Sequence, residues 1–317
     1  MGRKAMTRAS LFRCVSLSSL SALLFCAGSL LAPPAGTLAL LFCPTPLALL
    51  GAKENNRWMA AGLAGIAALL SLFFGPLFCF YFLMGEGTLC FGLSLPLGRV
   101  QKGSESLFFC TAVSILSKIV FFSVMLLLTG RNPFVPDVEA LNAVFSRMSA
   151  ATPGQGGDGA FLEESLRQMA SLAPYMLPSL ILLSSMFDSF LNYKLCEFIQ
   201  RGHQRAFPAL PPLGEWRFPR SLLWAFLFAF TLPLLIETDG WPLGTMLELN
   251  LKFLVNVFFF LQGLSLVWWW LLKRKVHLFL RLLAAGALFF PLLGVWSVAL
   301  GVGDLCLDLR ARTLKKR

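Results

Sequence analysis

The chain has 317 residues, 57% of them hydrophobic and 14% charged, and the apolar part falls in runs long enough to cross a bilayer, which excludes a soluble globular domain. A net charge of +11 would point to nucleic acid in a soluble protein; in a membrane chain it is the charge of basic loops on the cytoplasmic side, so no nucleic-acid partner is expected. The eight cysteines lie in or at the ends of apolar runs without a Cys-x-x-Cys pair, and read as small apolar residues rather than a disulfide framework or metal site.

Arg3, Lys4, Arg8 and Arg13 precede a first apolar run, Val15 to Leu31. Pro33-Pro34 follow at once and the large Phe25 stands before Cys26, so an uncleaved first span is expected rather than a signal peptide. A second, short run from Gly36 to Leu50 is interrupted by Pro44 and Pro46. It is tolerable in a membrane only if neighbours satisfy the carbonyls the prolines free. The third run, Trp58 to Phe74, is rich in alanine and glycine and is expected to pack at the bundle centre.

Runs four (Pro76–Leu97) and five (Leu107–Leu128) form a hairpin around a short basic turn, and each carries a charge near its middle, Glu86 and Lys118. Glu86 lies thirteen residues before Arg99 and Lys118 thirteen after Glu105, which puts both roughly 20 Å down their helices. The spacing predicts an intramembrane Glu86–Lys118 ion pair, because an unpaired charge at that depth costs several kcal/mol. It is either a lock between two helices or a solute-binding or proton-relay site, with Gly85 and Gly87 letting the helix open.

Residues 130–168 are polar, with a flexible Pro153–Gly159 linker between amphipathic pieces at 137–149 and 160–168. Run six, Met169 to about Tyr193, contains Pro174 and Pro178. Asp188 and Asn192 share one face of it, but Asp188, about 12 Å from the helix end, reads as too shallow to meet Lys118. A basic loop follows (Lys194, Arg201, Arg205, Arg217, Arg220), then runs seven (Leu222–Ile236), eight (Leu251–Leu272) and nine (Leu282–Gly303).

A cytoplasmic N-terminus satisfies the positive-inside rule up to run eight. The basic tail (Arg310, Arg312, Lys315, Lys316, Arg317) then falls outside unless run nine turns back near Pro291–Gly294 or an earlier run does not cross. On run eight, Asn250, Asn256 and Gln262 lie on different faces, so separate interhelical hydrogen bonds are expected, not a channel lining. Trp268–Trp270 beside Lys273–Lys275 reads as an interfacial anchor. Asp304 and Asp308, at i and i+4, have no nucleophile near them and read as a helix-end charge cluster with Arg310 or Arg312. No phosphate loop, zinc spacing or nucleophile motif is present, so neither an enzyme nor a cofactor is expected.

The ordered set Pro44-Thr-Pro46, Gly75-Pro76, Asn192-Tyr193, Leu210-Pro-Pro212 with Trp216–Pro219, Asn250-Leu251, Leu261–Leu264 and Gly301/Asp304/Asp308/Arg310 resembles the YybS-like family of predicted bacterial membrane proteins, a domain of unknown function. That family is similar, distantly, to the S components of energy-coupling-factor transporters. The resemblance implies a six-helix S-component-like domain over 1–197 and docking on a membrane coupling protein through small residues of the first helix, here Ser18, Ala22 and Cys26.

The expectation is therefore an all-α, polytopic helix bundle of the bacterial cytoplasmic membrane, with about nine apolar segments. The basic loop 198–219 and a three-segment region 220–317 complete it. It would bind or help move a small solute near Glu86, Lys118, Asp188 and Asn192; the alternative is an envelope scaffold that recruits cytoplasmic partners through the basic loop.

Overall fold

The computed structural model describes residues 8–30, 33–96, 102–130, 158–200, 207–235 and 242–311, and every regular element among them is a helix. Seven helices are long and apolar enough to cross a membrane: Ser10–Leu30, Ala35–Lys53, Asn56–Phe74, Pro76–Ser94, Gly103–Thr129, Pro174–Ile199 and Leu243–Lys273. Leu278–Ala287 and Leu292–Leu307 make an eighth if taken as one span, but they are bent by 101°. The expected seventh run survives as the shorter Ser221–Leu234. The nine apolar segments thus recur as seven long helices, one shorter helix and one bent pair, of which seven or eight are long enough to cross among the described residues; the bend lies where the sequence offered a turn-back near Pro291. The linker at 153–157, the amphipathic piece 137–149, Arg3, Lys4, Arg201, Arg205 and the tail from Arg312 lie outside the described residues.

The chain divides into two compact units, residues 1–133 with 181–210, and 134–180 with 211–317. The division runs through the sixth span rather than after it.

In the first unit α1 (Arg8–Leu30), α2 (Pro33–Phe42), α3 (Pro44–Lys53) and α4 (Asn56–Phe74) precede a broken span. Its parts are α5 (Pro76–Phe82), a π-turn (Leu83–Gly87) and α6 (Thr88–Ser94). The centre is α3, buried at every position from Pro44 to Ala52, as a helix apolar all round must be. The break between α2 and α3 is satisfied as membrane burial requires. Ser21 Oγ donates to the Cys43 carbonyl at 2.6 Å, Asn192 Nδ2 to that of Leu41 at 2.8 Å, and Cys90 Sγ to that of Pro44 at 3.3 Å.

The third run was expected at the centre; instead α4 buries one face (Met59, Gly62, Leu63, Ile66, Ala67, Leu70) and leaves Ala60, Ala61, Ala64, Gly65 and Ala68 exposed. Five of its seven small residues lie on the outward face, Gly62 and Ala67 on the buried one, and the broken backbone of α2–α3 takes the enclosed position. Gly75, at φ 91°, makes the sharp turn into α5 that a residue with a Cβ resists.

α7 (Gly103–Thr129) buries a stripe of small and polar residues, Gly103, Ser106, Cys110, Ser114 and Ser117, at the helical spacing that lets backbones pack closely. The last part of α8 (Asp158–Ile199) adds buried Ser185, Ser189, Asn192, Tyr193 and Cys196. Tyr193 then ties down the loop beyond it by donating to the Pro208 carbonyl at 2.7 Å.

The second unit holds the start of α8, a 3-10 turn (Leu213–Glu215), α9 (Ser221–Leu235), α10 (Pro242–Lys273), α11 (Leu278–Ala287) and α12 (Pro291–Leu307). α10 and α12 pack backbone to backbone. A Cβ on Gly263 would overlap the Ser297 carbonyl, and one on Gly301 the Phe259 carbonyl. Within α8, Pro174 and Pro178 open the helix. Asn250 fills the gap, accepting from Ser179 N–H at 2.8 Å and donating to the Tyr175 carbonyl at 2.5 Å, the two ends of what would be one i→i−4 bond.

Candidate functional site

The intramembrane charges come together in the first unit, but not in the predicted pair. Lys118 Nζ lies 2.8 Å from Asp188 Oδ2 and 3.0 Å from Ser184 Oγ. Glu86 makes no ion pair and no side-chain hydrogen bond among the described residues, although the charges of Asp188 and Lys118 both act on it. The expected Glu86–Lys118 bond is therefore corrected to Lys118–Asp188.

Two physical reasons account for the change. First, α8 continues to Ile199, so Asp188 lies about 16 Å from the helix end rather than 12 Å, and the long lysine side chain spans the remaining difference in level. Second, counting from a turn fixes a residue's depth but not its direction. The π-turn at Leu83–Gly87 rotates Glu86 away from where a regular helix would point it.

That π-turn is the opening the Gly85/Gly87 pair foreshadowed. Its backbone is already served: Ser117 Oγ donates to the Met84 carbonyl, and Thr88 Oγ1 stands 2.8 Å from the same oxygen and 2.9 Å from Ser117 Oγ. Met84 thus offers a ligand no free carbonyl. The acidic side chain of Glu86, half-buried beside it, is the unsatisfied group.

Asn192 is not available to a solute. It is fully buried, its Nδ2 donates to the Leu41 and Asp188 carbonyls at 2.8 and 2.9 Å, and its Oδ1 accepts from Thr45 Oγ1 at 2.7 Å. Its donors are both used, and it serves the α2–α3 break. Ser184, Ser117 and Thr88 belong to the site and were missed. Ser184 stands four residues before Asp188, hence on its face, which was the one available signal.

Ser18, Ala22 and Cys26, expected as docking contacts, are half-buried, each with part of its surface against its own unit. A Cβ on Gly62 would overlap Ser18 Oγ, and Ala22 and Cys26 lie against the Phe25–Leu47–Met59 core.

The second unit holds a more deeply buried polar group. Arg310 is 1% and Asp304 5% exposed. Arg310 Nε donates to Asp304 Oδ2 at 3.0 Å, its Nη1 to the Gly214 carbonyl at 2.6 Å and its Nη2 to Ser265 Oγ at 3.0 Å. Gln262 Nε2 donates to Asp304 Oδ2 at 2.6 Å, and its Oε1 accepts from Phe218 N–H at 3.0 Å. Burial pulls the Arg310 guanidinium below its ordinary value, and the Asp304 carboxylate opposes that.

The helix-end cluster read from the sequence is therefore present, with Asp304 on Arg310 and Asp308 Oδ1 3.6 Å from Arg217 Nη1. It ties α10 and α12 to the 213–218 segment. Gln262 joins this network and Asn250 repairs α8, two separate interhelical uses. Asn256, half-buried, has no hydrogen bond among the described residues.

Comparison with known proteins matches the family of predicted membrane proteins DUF2232 to residues 19–305. The uncharacterized protein YybS of Bacillus subtilis (strain 168) is 23% identical over 252 residues, covering 77% of this chain and 78% of that one. No solved structure matches.

Proposed function

We propose that this chain, which belongs to the DUF2232 family of predicted membrane proteins, is a non-enzymatic multi-pass protein that holds a small cationic or amino-bearing solute at Glu86. The observation that carries the reading is the division of charge in the first unit. Lys118 is committed to Asp188 and Ser184, which leaves Glu86 as a third ionisable group whose side chain has no hydrogen bond among the described residues. A carboxyl at bilayer depth without a partner costs several kcal/mol, and a cationic solute removes that cost. The Lys118–Asp188 pair supplies a neutral, polar wall beside it, and the π-turn is a helix distortion of the kind found at binding sites.

The orientation we favour has the N-terminus in the cytoplasm, since the basic loops then lie inside. The scaffold reading has less support. The described part of the basic loop is not a free arm: residues 207–210 are held by Tyr193, and 213–218 by Ser265, Gln262 and Arg310.

The test is mass spectrometry of small molecules that co-purify with the wild type, Glu86→Gln and Lys118→Leu. A cationic solute retained by the wild type and lost from Glu86→Gln is the expected result. A wild type that carries nothing, or a Glu86→Gln variant with the same complement, overturns the proposal.

A further inference from the structure

Between the segment before α9 and the end of α12 lies a cavity of about 90 Å³ lined by Arg217, Phe218, Arg220, Gln262, Asp304 and Asp308. Its polar groups are unevenly committed. Gln262 is used at both ends, and Asp304 Oδ2 takes Gln262 and Arg310. Asp304 Oδ1, on a side chain 4% exposed, is buried and accepts no hydrogen bond among the described residues. On the rim, the exposed Arg220 guanidinium has no ion pair or hydrogen bond among the described residues. Arg217 is half exposed and, among the described residues, its guanidinium pairs with Asp308 alone, at 3.6 Å.

A buried carboxylate oxygen without a donor calls for an N–H or O–H from outside. Two guanidiniums with spare donors call for an anion, and phosphate suits their fork geometry. A single ligand that answers both must carry a phosphate and a hydrogen-bearing ammonium a short link apart.

The position fits such a group. Arg220 stands directly before the apolar helix Ser221–Leu235, and Asp308 directly after Pro291–Leu307. On α10, Lys273 Nζ lies 5.0 Å from the Trp269 ring and the Arg274 guanidinium 3.9 Å from the Trp270 ring, a belt that marks the membrane–water boundary. Gln262 lies only about 9 Å along the helix from Trp268. The cavity therefore opens at the level of lipid headgroups.

We propose that this cavity binds a phosphate–primary-ammonium zwitterion, the chemistry of phosphoethanolamine. Arg217 and Arg220 take the phosphate; Asp304 Oδ1, with Asp308, takes the ammonium. The source is either the headgroup of a membrane lipid or a free phosphoamine.

The experiment uses the full-length protein in nanodiscs prepared with phosphatidylethanolamine, phosphatidylcholine or phosphatidylglycerol, with retained lipid counted by native mass spectrometry after transfer to detergent. Phosphatidylcholine has no ammonium hydrogen and phosphatidylglycerol no ammonium, so each should be retained about tenfold less, the loss of one charge-assisted hydrogen bond. Arg220→Gln, which breaks no ion pair or side-chain hydrogen bond among the described residues, should lower phosphatidylethanolamine retention by about tenfold; Arg274→Gln should not. Asp304→Asn is a second probe, read only if its melting temperature holds, because Arg310 depends on that carboxylate.

Free O-phosphoethanolamine that displaces the lipid identifies the headgroup alone as the ligand, and failure to displace it assigns the acyl chains a part; both outcomes agree with the proposal. Equal retention of the three lipids, or an Arg220→Gln variant that behaves as the wild type, overturns it. If no lipid is retained and free O-phosphoethanolamine does not bind, the cavity holds water and the proposal also fails.

Discussion

Removing Asp188 tests the corrected charge arrangement most directly. Lys118 sits about 22 Å from one end of α7 and about 16 Å from the other, so its ammonium lies deep in the span. An unpaired lysine or aspartate there costs about 2.5–3.5 kcal/mol on insertion scales. The pair is 25% and 30% exposed at its two side chains, and in a bilayer that exposure is to lipid or neighbouring helices, not bulk water.

Asp188→Leu should therefore destabilise by about 3 kcal/mol, and adding Lys118→Met should recover most of it, a coupling of about 2 kcal/mol. Glu86 is the one group placed to take over the lysine, so the cycle belongs in a Glu86→Gln background. A parallel cycle between Glu86→Leu and Lys118→Met should show coupling below about 1 kcal/mol. The assay is equilibrium unfolding in mixed micelles followed by far-UV circular dichroism. Additivity of Asp188 and Lys118 within about 0.5 kcal/mol, or a stronger coupling of Lys118 to Glu86, would refute the reasoning.

Further substitutions probe the packing that holds the sites. Gly301→Ala should destabilise by about 1–3 kcal/mol, because its Cβ meets the Phe259 carbonyl, while Gly65→Ala, open on all sides, should be neutral or slightly stabilising in the same unfolding assay. Asn250→Leu strands Ser179 N–H and the Tyr175 carbonyl at about 1–3 kcal/mol each; hydrogen exchange at Ser179 should accelerate with it. Arg310→Met leaves the Asp304 carboxylate buried and should cost about 3–5 kcal/mol, most of it regained in Arg310→Met with Asp304→Leu, read by melting temperature.

How much of this was legible in the sequence depended on whether the governing rule was local. Run length and apolar composition are local, and the membrane class followed from them. So did the need for Pro44 and Pro46 to be shielded, and the pairing of Asp304 with a nearby arginine. Azimuth is not local. Depth counting put Glu86 and Lys118 at one level, yet the π-turn and the extra length of α8 decided which carboxylate faced the lysine. The same blindness misplaced α4, whose small residues could have lined either face, and hid Ser184 and Ser117, which look like any serine in an apolar run. Run nine was half legible: Pro291 marked a place in the apolar string Leu282–Gly303 where the chain could turn back, but as one of three alternatives, and backbone geometry puts a 101° bend there.

The two asparagines show why family resemblance and function separate here. A primary amide carries the donor and acceptor of a peptide group, so it can serve backbone groups left open beside a proline kink. Asn192 does this for the α2–α3 break, taking the Leu41 carbonyl and the Thr45 hydroxyl; Asn250 does it for α8, taking Ser179 N–H and the Tyr175 carbonyl. Gly301 and Gly263 likewise let backbones touch, and Arg310 with Asp304 pins a loop. Most of these residues that carry the resemblance are thus spent on keeping a proline-broken bundle closed, while Asp304 keeps one oxygen over. Groups with capacity left over, Glu86 in the first unit and Arg220 with Asp304 Oδ1 in the second, are where a ligand finds something to bind. Substituting the asparagines should therefore lower stability in proportion to the bonds lost. Substituting Glu86 or Arg220 should change what the protein holds without lowering its unfolding free energy by more than about 0.5 kcal/mol; a large loss of stability in those two variants would show that they too are structural.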